Sequence, residues 1–312
     1  MNPRFSVVIP LYNKASHIQR ALDSVLAQTL GDFELIVIND GSSDGGERVV
    51  GACSDPRVRL VNQQNQGVSA ARNKGVVQAS APHVAFLDAD DAWQPGFLAE
   101  IARLIAASPD SALFATAYEM LSPDGKTRDY SAAAVGPALS SGVFLDYLDC
   151  VGRDTYPFYT SSACVNRAAF LDCGGFDRSL QIGEDVVMWL ALSLRVPACF
   201  SPMVGATYHR DAENRAMNQS GRSEKILSYV RTLVATCGSA PLSTKQADDF
   251  KGLISFNLYR SCVGFMRSGE TARAKQIMSE FDAFLLPRQR SKLLRKAFKY
   301  TLLGPFLRAR RG

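Results

Sequence analysis

The feature that most constrains this chain is the alternation of short apolar runs with amphipathic segments between Phe5 and Leu121. Phe5 to Pro10 has the length and composition of a buried strand. Ile18, Ala21, Leu22, Val25 and Leu26 then follow a helical stripe, and Ser16 with Gln19 has the spacing of a capping box. Phe33 to Ile38 reads as a second strand, with a short helix expected near Asp44 to Cys53. Val58 to Val61 is a third strand, Val68 to Ala79 a helix, and His83 to Leu87 a fourth strand. Phe97 to Ala107 is helical with Pro95 near its start, and Leu113 to Leu121 is a strand ending in the turn Ser122 to Gly125. Such βαβ order predicts an α/β fold with a mostly parallel, Rossmann-like sheet flanked by helices. Sheets of that kind bind ligands at the carboxyl ends of their strands.

The polar residues collect at those ends. Asn13 follows the first strand, Asn39 and Asp40 the second, and Asp88, Asp90 and Asp91 the fourth. Pro10-Leu-Tyr-Asn-Lys14 carries no GxGxxG, and no Walker A motif occurs, so the two common phosphate-cradling loops are missing. Carboxylates two apart on an extended segment point to one side, where they repel unless a cation sits between them. Asp88-Ala89-Asp90 therefore suggests a divalent cation, Mn²⁺ or Mg²⁺, carrying substrate phosphates. The competing reading is a solvated acidic turn ahead of Pro95.

Six stretches, in order, are Val7-Val-Ile-Pro-Leu-Tyr-Asn13, Ile38-Asn-Asp-Gly-Ser-Ser-Asp44, Asn65 to Gly75, Phe86-Leu-Asp-Ala-Asp-Asp91, Gly174-Gly-Phe-Asp177, and Gly183-Glu-Asp185 with Trp189. Their order and spacing resemble a family 2 glycosyltransferase of the GT-A fold over residues 5 to about 190. The resemblance implies that Pro10, Leu11, Tyr12 and Asn13 hold a nucleotide. It implies that Asp40 reads the base edge; a carboxylate accepts the N3–H of uracil or thymine, so UDP is favoured and dTDP is the alternative. Arg72 then serves the diphosphate or the base side, Asp88 the ribose or the metal shell, Lys74 and Ala89 are further donor-binding residues, and Asp90 binds the metal. Tyr208-His-Arg-Asp211 resembles the loop after the family's acceptor region, with His209 a candidate metal or phosphate ligand and Tyr208 an acceptor contact.

Glu184 and Asp185 open an apolar helical run, and the resemblance makes them the catalytic acid pair, with Asp185 the expected base. An attacking hydroxyl must lose a proton, and a positioned carboxylate taking it contributes roughly 10²- to 10⁴-fold. Family members invert the anomeric centre. Trp189, one turn on, is a candidate platform for an acceptor sugar, although a core position fits it as well. The Tyr- and Ser-rich stretch Thr155 to Ser162 is expected to line the acceptor cleft.

These readings divide the chain into a transferase domain over 1–222 and a helical region over 223–312. In the first, 1–118 forms the nucleotide-sugar half and 119–222 the acceptor half. Charge sharpens the division. Nine basic residues lie between Arg288 and the end, with no acid after Asp282, leaving the rest of the chain at a formal −4 against a total of +5. The tail interleaves them with Leu293, Leu294, Phe298, Tyr300, Leu302, Leu303, Phe306 and Leu307, which suits an anionic membrane surface and a lipid-linked acceptor. Nucleic-acid binding is not expected. No run approaches the roughly 18 apolar residues of a membrane span, and the Phe5 to Leu11 run does not read as a signal peptide. Seven scattered cysteines without a CxxC pair predict free thiols and a cytoplasmic protein, peripheral on the inner face of the membrane. A nucleotidyltransferase and a non-catalytic nucleotide-sugar binder are the competing functions.

Overall fold

The protein is described here by a computed structural model, which describes residues 3–129, 143–211 and 221–309. It divides into two compact units. The first holds residues 3–129, 143–150, 155–179 and 184–211; the second holds 151–154, 180–183 and 221–309. The helical region predicted from 223 onward therefore recruits two short pieces of earlier chain. Residues 130–142 and 212–220, within the predicted acceptor half, lie outside the described residues.

The first unit is built on one sheet. Its strands are β1 (Phe5–Leu11), β2 (Phe33–Asp40), β3 (Val58–Gln63), β4 (His83–Phe86), β5 (Ala92–Trp93), β6 (Leu113–Leu121), β7 (Thr127–Asp129), β8 (Val143–Leu145), β9 (Ala163–Asn166) and β10 (Ala198–His209). The order is β3-β2-β1-β4-β9-β6-β10-β5, with β7 on β6 and β8 on β10. β1 pairs in parallel with both β2 and β4, and β2 with β3, as the alternation predicted. Beyond β4 the sheet turns mixed: β9 runs antiparallel to both β4 and β6, and β10 is parallel to β6. The chain goes from β1 outward to β3, then returns to β4 on the other side of β1. That reversal opens a crevice at the carboxyl ends of β1 and β4.

The helices α1 (Ile18–Leu26), α2 (Gly46–Gly51), α3 (Val68–Gln78), α4 (Phe97–Ala107), α5 (Tyr147–Gly152), α6 (Arg167–Asp172) and α7 (Glu184–Ser193) complete the mixed α/β arrangement. α1 buries Ile18, Ala21, Leu22 and Val25, the predicted stripe. Its predicted capping box is not formed: the cap is His17, without a side-chain bond. Lys14 carbonyl instead accepts from both His17 N and Ile18 N, so a turn started by the preceding loop replaces the side-chain cap. α3 lies so close to β1 that a Cβ on Gly75 would fall 2.3 Å from Val8 Cγ1.

The second unit contains α8 (Arg222–Cys237), α9 (Thr244–Ser268), α10 (Thr271–Glu280) and α11 (Pro287–Ala309). Leu253, Ile254, Phe256, Leu258, Cys262, Val263, Phe265 and Met266, apolar residues of mixed spacing in the sequence, fall on one helix, α9, opened by a capping box between Ser243 and Gln246 and closed by Gly269 at φ 95°. The basic tail forms α11, but it is not free. Leu293 and Ala297 are buried, and the helix packs on α9 and α10. Part of the apolar stripe expected to meet a membrane is thus spent inside the unit, while Leu294 and Phe298 stay exposed. The side chains from Leu302 to Arg308, and Arg310 and Arg311 entirely, lie outside the described residues. All seven cysteines are free thiols, and no helix among the described residues is long and apolar enough to cross a membrane.

Candidate active site

The loops after β1 and β2 are tied together by side-chain bonds from both sides, with Asn13 at their centre and Ala15 N donating to Asp44 Oδ2 at 2.8 Å. Asn13 sits at φ 49°, where a short polar side chain is tolerated, and its Oδ1 accepts from Ser43 N at 2.8 Å. Its own N–H donates to Ser42 Oγ at 3.2 Å. Leu11 is fully buried and Tyr12 is half exposed, so the β1 end offers backbone and a free ring. Asp40 ends β2, 2% exposed, and takes three donors: Gln63 Nε2 at 2.7 Å, Gln66 N at 2.9 Å and Gly67 N at 2.9 Å. Its carboxylate pins the loop that leads into α3. Oδ1 takes two of the three donors and Oδ2 one.

Arg72 on α3 is the centre of the cleft. Its side chain is 5% exposed; Nη2 reaches Asp88 Oδ1 at 2.6 Å and Nη1 reaches Glu184 Oε1 at 3.0 Å. The guanidinium carbon stands 5.5 Å from the Phe176 ring centroid. Burial opposes its charge, but Asp88 and Glu184, helped by Asp185, outweigh that and hold the proton more tightly than usual. Nε is buried without a partner, leaving one donor unspent. Asn73 keeps α3 in register with the Gly174-Gly175-Phe176 turn: its Nδ2 donates to Phe176 carbonyl and its Oδ1 accepts from Phe176 N, both at 2.8 Å. Gly175, at φ 75°, is where a Cβ would meet Asn73 Oδ1 at 2.7 Å.

Glu184 and Asp185 stand in the first turn of α7. Asp185 Oδ1 accepts from Val186 N at 2.8 Å and Oδ2 from Thr160 Oγ1 at 3.2 Å. Burial lifts both carboxyls above their ordinary values. The neighbouring Asp185 adds to the lift at Glu184, and Arg72 opposes it at both. A base whose proton affinity is raised toward the working pH is better suited to take a hydroxyl proton.

Past β4 the three acids separate in role. Asp88 and Asp90 are partly exposed; Lys14 Nζ pairs with Asp90 Oδ2 at 2.7 Å, and Arg20 donates to Asp90 carbonyl. Asp91 is 1% exposed and accepts from Ser161 Oγ at 2.7 Å and His209 N at 3.1 Å. Burial, then Asp88 and Asp90, push its carboxyl well above the usual range. Ser161 also accepts from Asp88 N at 3.0 Å, so the 3₁₀ turn Thr160–Ser162 lies against this strand end.

No group of three or more His, Cys, Asp or Glu among the described residues is arranged to hold a metal. Asp90 keeps Oδ1 without a donor among the described residues, and His209 lies near enough to feel its charge, its imidazole driven toward the neutral form by burial and then by Arg20. One carboxylate and one imidazole fit a hard cation that arrives with substrate phosphates, not a resident metal in an all-protein cage.

Two expected contacts are not brought to the cleft. Trp189 is fully buried against Phe86, Phe158 and Phe176, so the apolar face of α7 claims it and no acceptor sugar can lie on it. Lys74 points from the other side of α3 and donates to Asn62 carbonyl at 3.1 Å, apart from Arg72. Tyr208 packs edge-on to Tyr159 at 5.4 Å. Lys14, Thr160 and Ser161 belong to the site but carry no motif; they meet their acids across 25 to 76 residues of sequence.

The sheet, its switch point and an acid-lined cleft define a GT-A-type α/β fold. The model of the family described as "Glycosyl transferase family 2" matches residues 6–175, and the chain belongs to that family. It is 33% identical over 215 residues to the succinoglycan biosynthesis protein ExoO of Rhizobium meliloti, covering 66% of this chain and 61% of that one. Other curated relatives match at 29% to 36% identity, and the chain spans only 26% to 43% of their length. Among solved structures, S. aureus TarS 1-349 in complex with UDP-GlcNAc has a TM-score of 0.75 at 18% identity, covering 96% of this chain and 88% of that one. The mannosyltransferase PcManGT from Pyrobaculum calidifontis, in complex with GDP-Man and Mn²⁺, has a TM-score of 0.53 at 18% identity, covering 97% and 87%. At such identities these two show the shared fold.

Proposed function

We propose that this protein transfers a glycosyl group from a nucleoside diphosphate sugar to an acceptor hydroxyl with inversion, in the assembly of a bacterial cell-surface polysaccharide. The observation that carries this reading is the convergence of Asp88, Glu184 and Asp185 on the buried Arg72 at the carboxyl ends of the strands. A chain that only bound nucleotide sugars would have no use for a carboxyl pair with raised proton affinity facing the same cleft. The name of the ExoO relative supports a polysaccharide acceptor.

In this reading the acceptor oxygen attacks the anomeric carbon while its proton passes to Asp185. The bond from that carbon to the diphosphate oxygen breaks, and the nucleoside diphosphate leaves with the electron pair. Thr160 Oγ1 and Val186 N orient the Asp185 carboxylate for the transfer. Arg72 ion-pairs with Glu184 and Asp88 beside it, and its free Nε is a donor for the diphosphate. Tyr12 offers its exposed ring to the base. Asp40 Oδ2 can accept one further N–H, which favours UDP, with dTDP as the alternative. Asp90 and His209 would hold a divalent cation, which supplies positive charge to the diphosphate oxygens when bound. The exposed basic face of α11 would rest on an anionic membrane, where a lipid-linked acceptor is found.

The test is a panel of nucleotide sugars with Mg²⁺ or Mn²⁺ and a hydroxyl acceptor, reading released nucleoside diphosphate and product configuration. UDP release with an inverted linkage is expected. Pyrophosphate release from a nucleoside triphosphate would establish a nucleotidyltransferase instead, and binding of a nucleotide sugar without turnover on any acceptor would reduce the protein to a binder. Retained activity in EDTA would remove the cation.

A further inference from the structure

Two open cavities of similar size in the helical unit, among the described residues, differ in charge. One, of about 420 Å³, is lined by Arg231 and Arg273, and each has an acid: Glu280 at 2.9 Å from Arg231 and Glu224 at 2.6 Å from Arg273. Those arginines are spent on structure. The other, of about 430 Å³, is lined by Arg222, Arg260, Arg267 and Lys296, and no acid lines it. None of these four cations has an ion-pair partner among the described residues. Arg260 has only the Phe256 ring, 5.5 Å away.

Three further observations converge on the second cavity. α8 begins there with Arg222 and Ser223 in the lining, and its cap, Gly221, supplies no side-chain acceptor, so this anion-favouring helix end has no side-chain cap. α9 presses against that end: a Cβ on Gly264 would lie 1.9 Å from Ser223 Oγ, and Ser261 Oγ donates to Ser223 carbonyl at 2.7 Å. The cleft is therefore a packed junction of three helices and not a chance gathering of mobile side chains. Finally, α11, which contributes Lys296, exposes Leu294 (55%) and Phe298 (69%) one turn apart, with Arg295 and Lys299 alongside. Exposed apolar side chains between cations are the surface of an interfacial helix.

We infer that the cleft formed by Arg222, Arg260, Arg267 and Lys296 is a binding site for the phosphate of an anionic phospholipid headgroup, with Leu294 and Phe298 entering the acyl boundary beside it. Four unneutralised cations repel one another, and a phosphate relieves that repulsion while accepting from the guanidinium forks and the α8 N–H groups. The inference rests on the membrane reading of the basic helix, but not on the chemistry of the transferase cleft.

Sedimentation of the full chain with phosphatidylglycerol vesicles, and with phosphatidylcholine vesicles as control, tests it. Arg260→Gln with Arg267→Gln removes two cleft charges; Arg295→Gln with Lys299→Gln removes two charges from the exposed face of α11. Each basic residue near an anionic surface is worth about fivefold in binding, so the face pair should lose roughly 25-fold and the cleft pair distinctly more. Thermal unfolding of both variants, expected within a few degrees of the parent, checks that the helices remain packed. Equal losses in the two pairs would overturn the site and leave general attraction to the membrane. No vesicle binding by the parent chain would overturn the membrane reading and the inference together. A titration with inorganic phosphate separates the sources: saturable binding that the cleft pair abolishes, without vesicle binding, would assign the cleft to a soluble phosphate and overturn the lipid.

Discussion

Asp40 and Asp90 stand at the carboxyl ends of strands on either side of the switch point, and they spend their carboxylates differently. Asp40 is buried at the end of β2 and takes three donors, Gln63 Nε2 from the end of β3 and two backbone N–H groups from the loop that follows it. Asp90, past β4, is partly exposed, meets Lys14, and keeps an oxygen open. Asp91 follows the pattern of Asp40, clamping Ser161 and the β10 backbone; Asp88, paired with Arg72, follows that of Asp90; and Asp185 stands between them, with one donor on each oxygen. An acid at a strand end is thus not evidence of chemistry by itself. What separates the two kinds is whether the folded chain has already supplied its donors.

The largest expected effect belongs to the proposed base, Asp185. Asp185→Asn keeps the shape and one acceptor oxygen, for Val186 N, but gives up the acceptor that Thr160 Oγ1 uses and cannot take a proton, so turnover should fall by roughly 10²- to 10⁴-fold with donor affinity retained. Turnover of the parent should fall on the acid side, with an apparent pKa above the ordinary carboxylate range, because burial raises the Asp185 carboxyl. A donor affinity that collapsed with turnover at saturation intact would place Asp185 among the binding groups.

Arg72→Met tests the junction of the two kinds. Removing the guanidinium leaves Asp88 and Glu184 without their buried partner, at a cost of about 3–5 kcal/mol in unfolding free energy. Arg72 favours the ionised form of Asp185, so the acid limb of residual activity should also move to higher pH. Chemical denaturation and a pH–rate profile read these separately; an unmoved limb would mean that Arg72 does not act on the base.

The loop-holding acid should behave otherwise. Asp40→Ala leaves Gln63, Gln66 and Gly67 without an acceptor and should cost on the order of 2 kcal/mol, whereas Asp90→Ala should leave stability nearly unchanged and lose transfer. A stable Asp40→Ala protein together with a destabilised Asp90→Ala protein would reverse the comparison.

The smallest effect is expected at Asp91. Its carboxyl is raised in the folded state, so the folded protein holds a proton that the unfolded chain has released. Its contribution to stability therefore falls as pH rises above the ordinary carboxylate value. Asp91→Asn should be within about 1 kcal/mol of the parent at neutral pH and should flatten that dependence. A large loss at neutral pH would show that the ionised form is the one the fold uses.

Much of the first unit was legible in the sequence, because strand and helix periods depend on neighbouring residues alone. β1 to β4, α1, α3 and α4 fall within a residue or two of their apolar patterns. The mixed half was not, since the pairing of β9 with β4 and β6 depends on long-range register. The capping spacing at Ser16 and Gln19 was misleading because the Lys14 carbonyl had already begun the turn, whereas Ser243 and Gln246 form a box that the mixed apolar spacing of α9 concealed. Trp189 shows the same limit at the site: its position one turn after Asp185 suits a cleft or a core, and packing against Phe86 and Phe176 decides for the core.

By itself the sequence determined the alternation of elements, the strand ends at which acids gather, and the basic character of the last helix. These are properties of short segments, set by residue type and local spacing. Tertiary structure decided which acid meets which cation: Lys14 with Asp90 across 76 residues and Arg72 with Glu184 across 112. It also decided that four cations of α8, α9 and α11 share one unneutralised cleft while their neighbours are paired off. Electrostatic partnership depends on distance in space and on the exclusion of water, and neither exists until the chain has closed on itself.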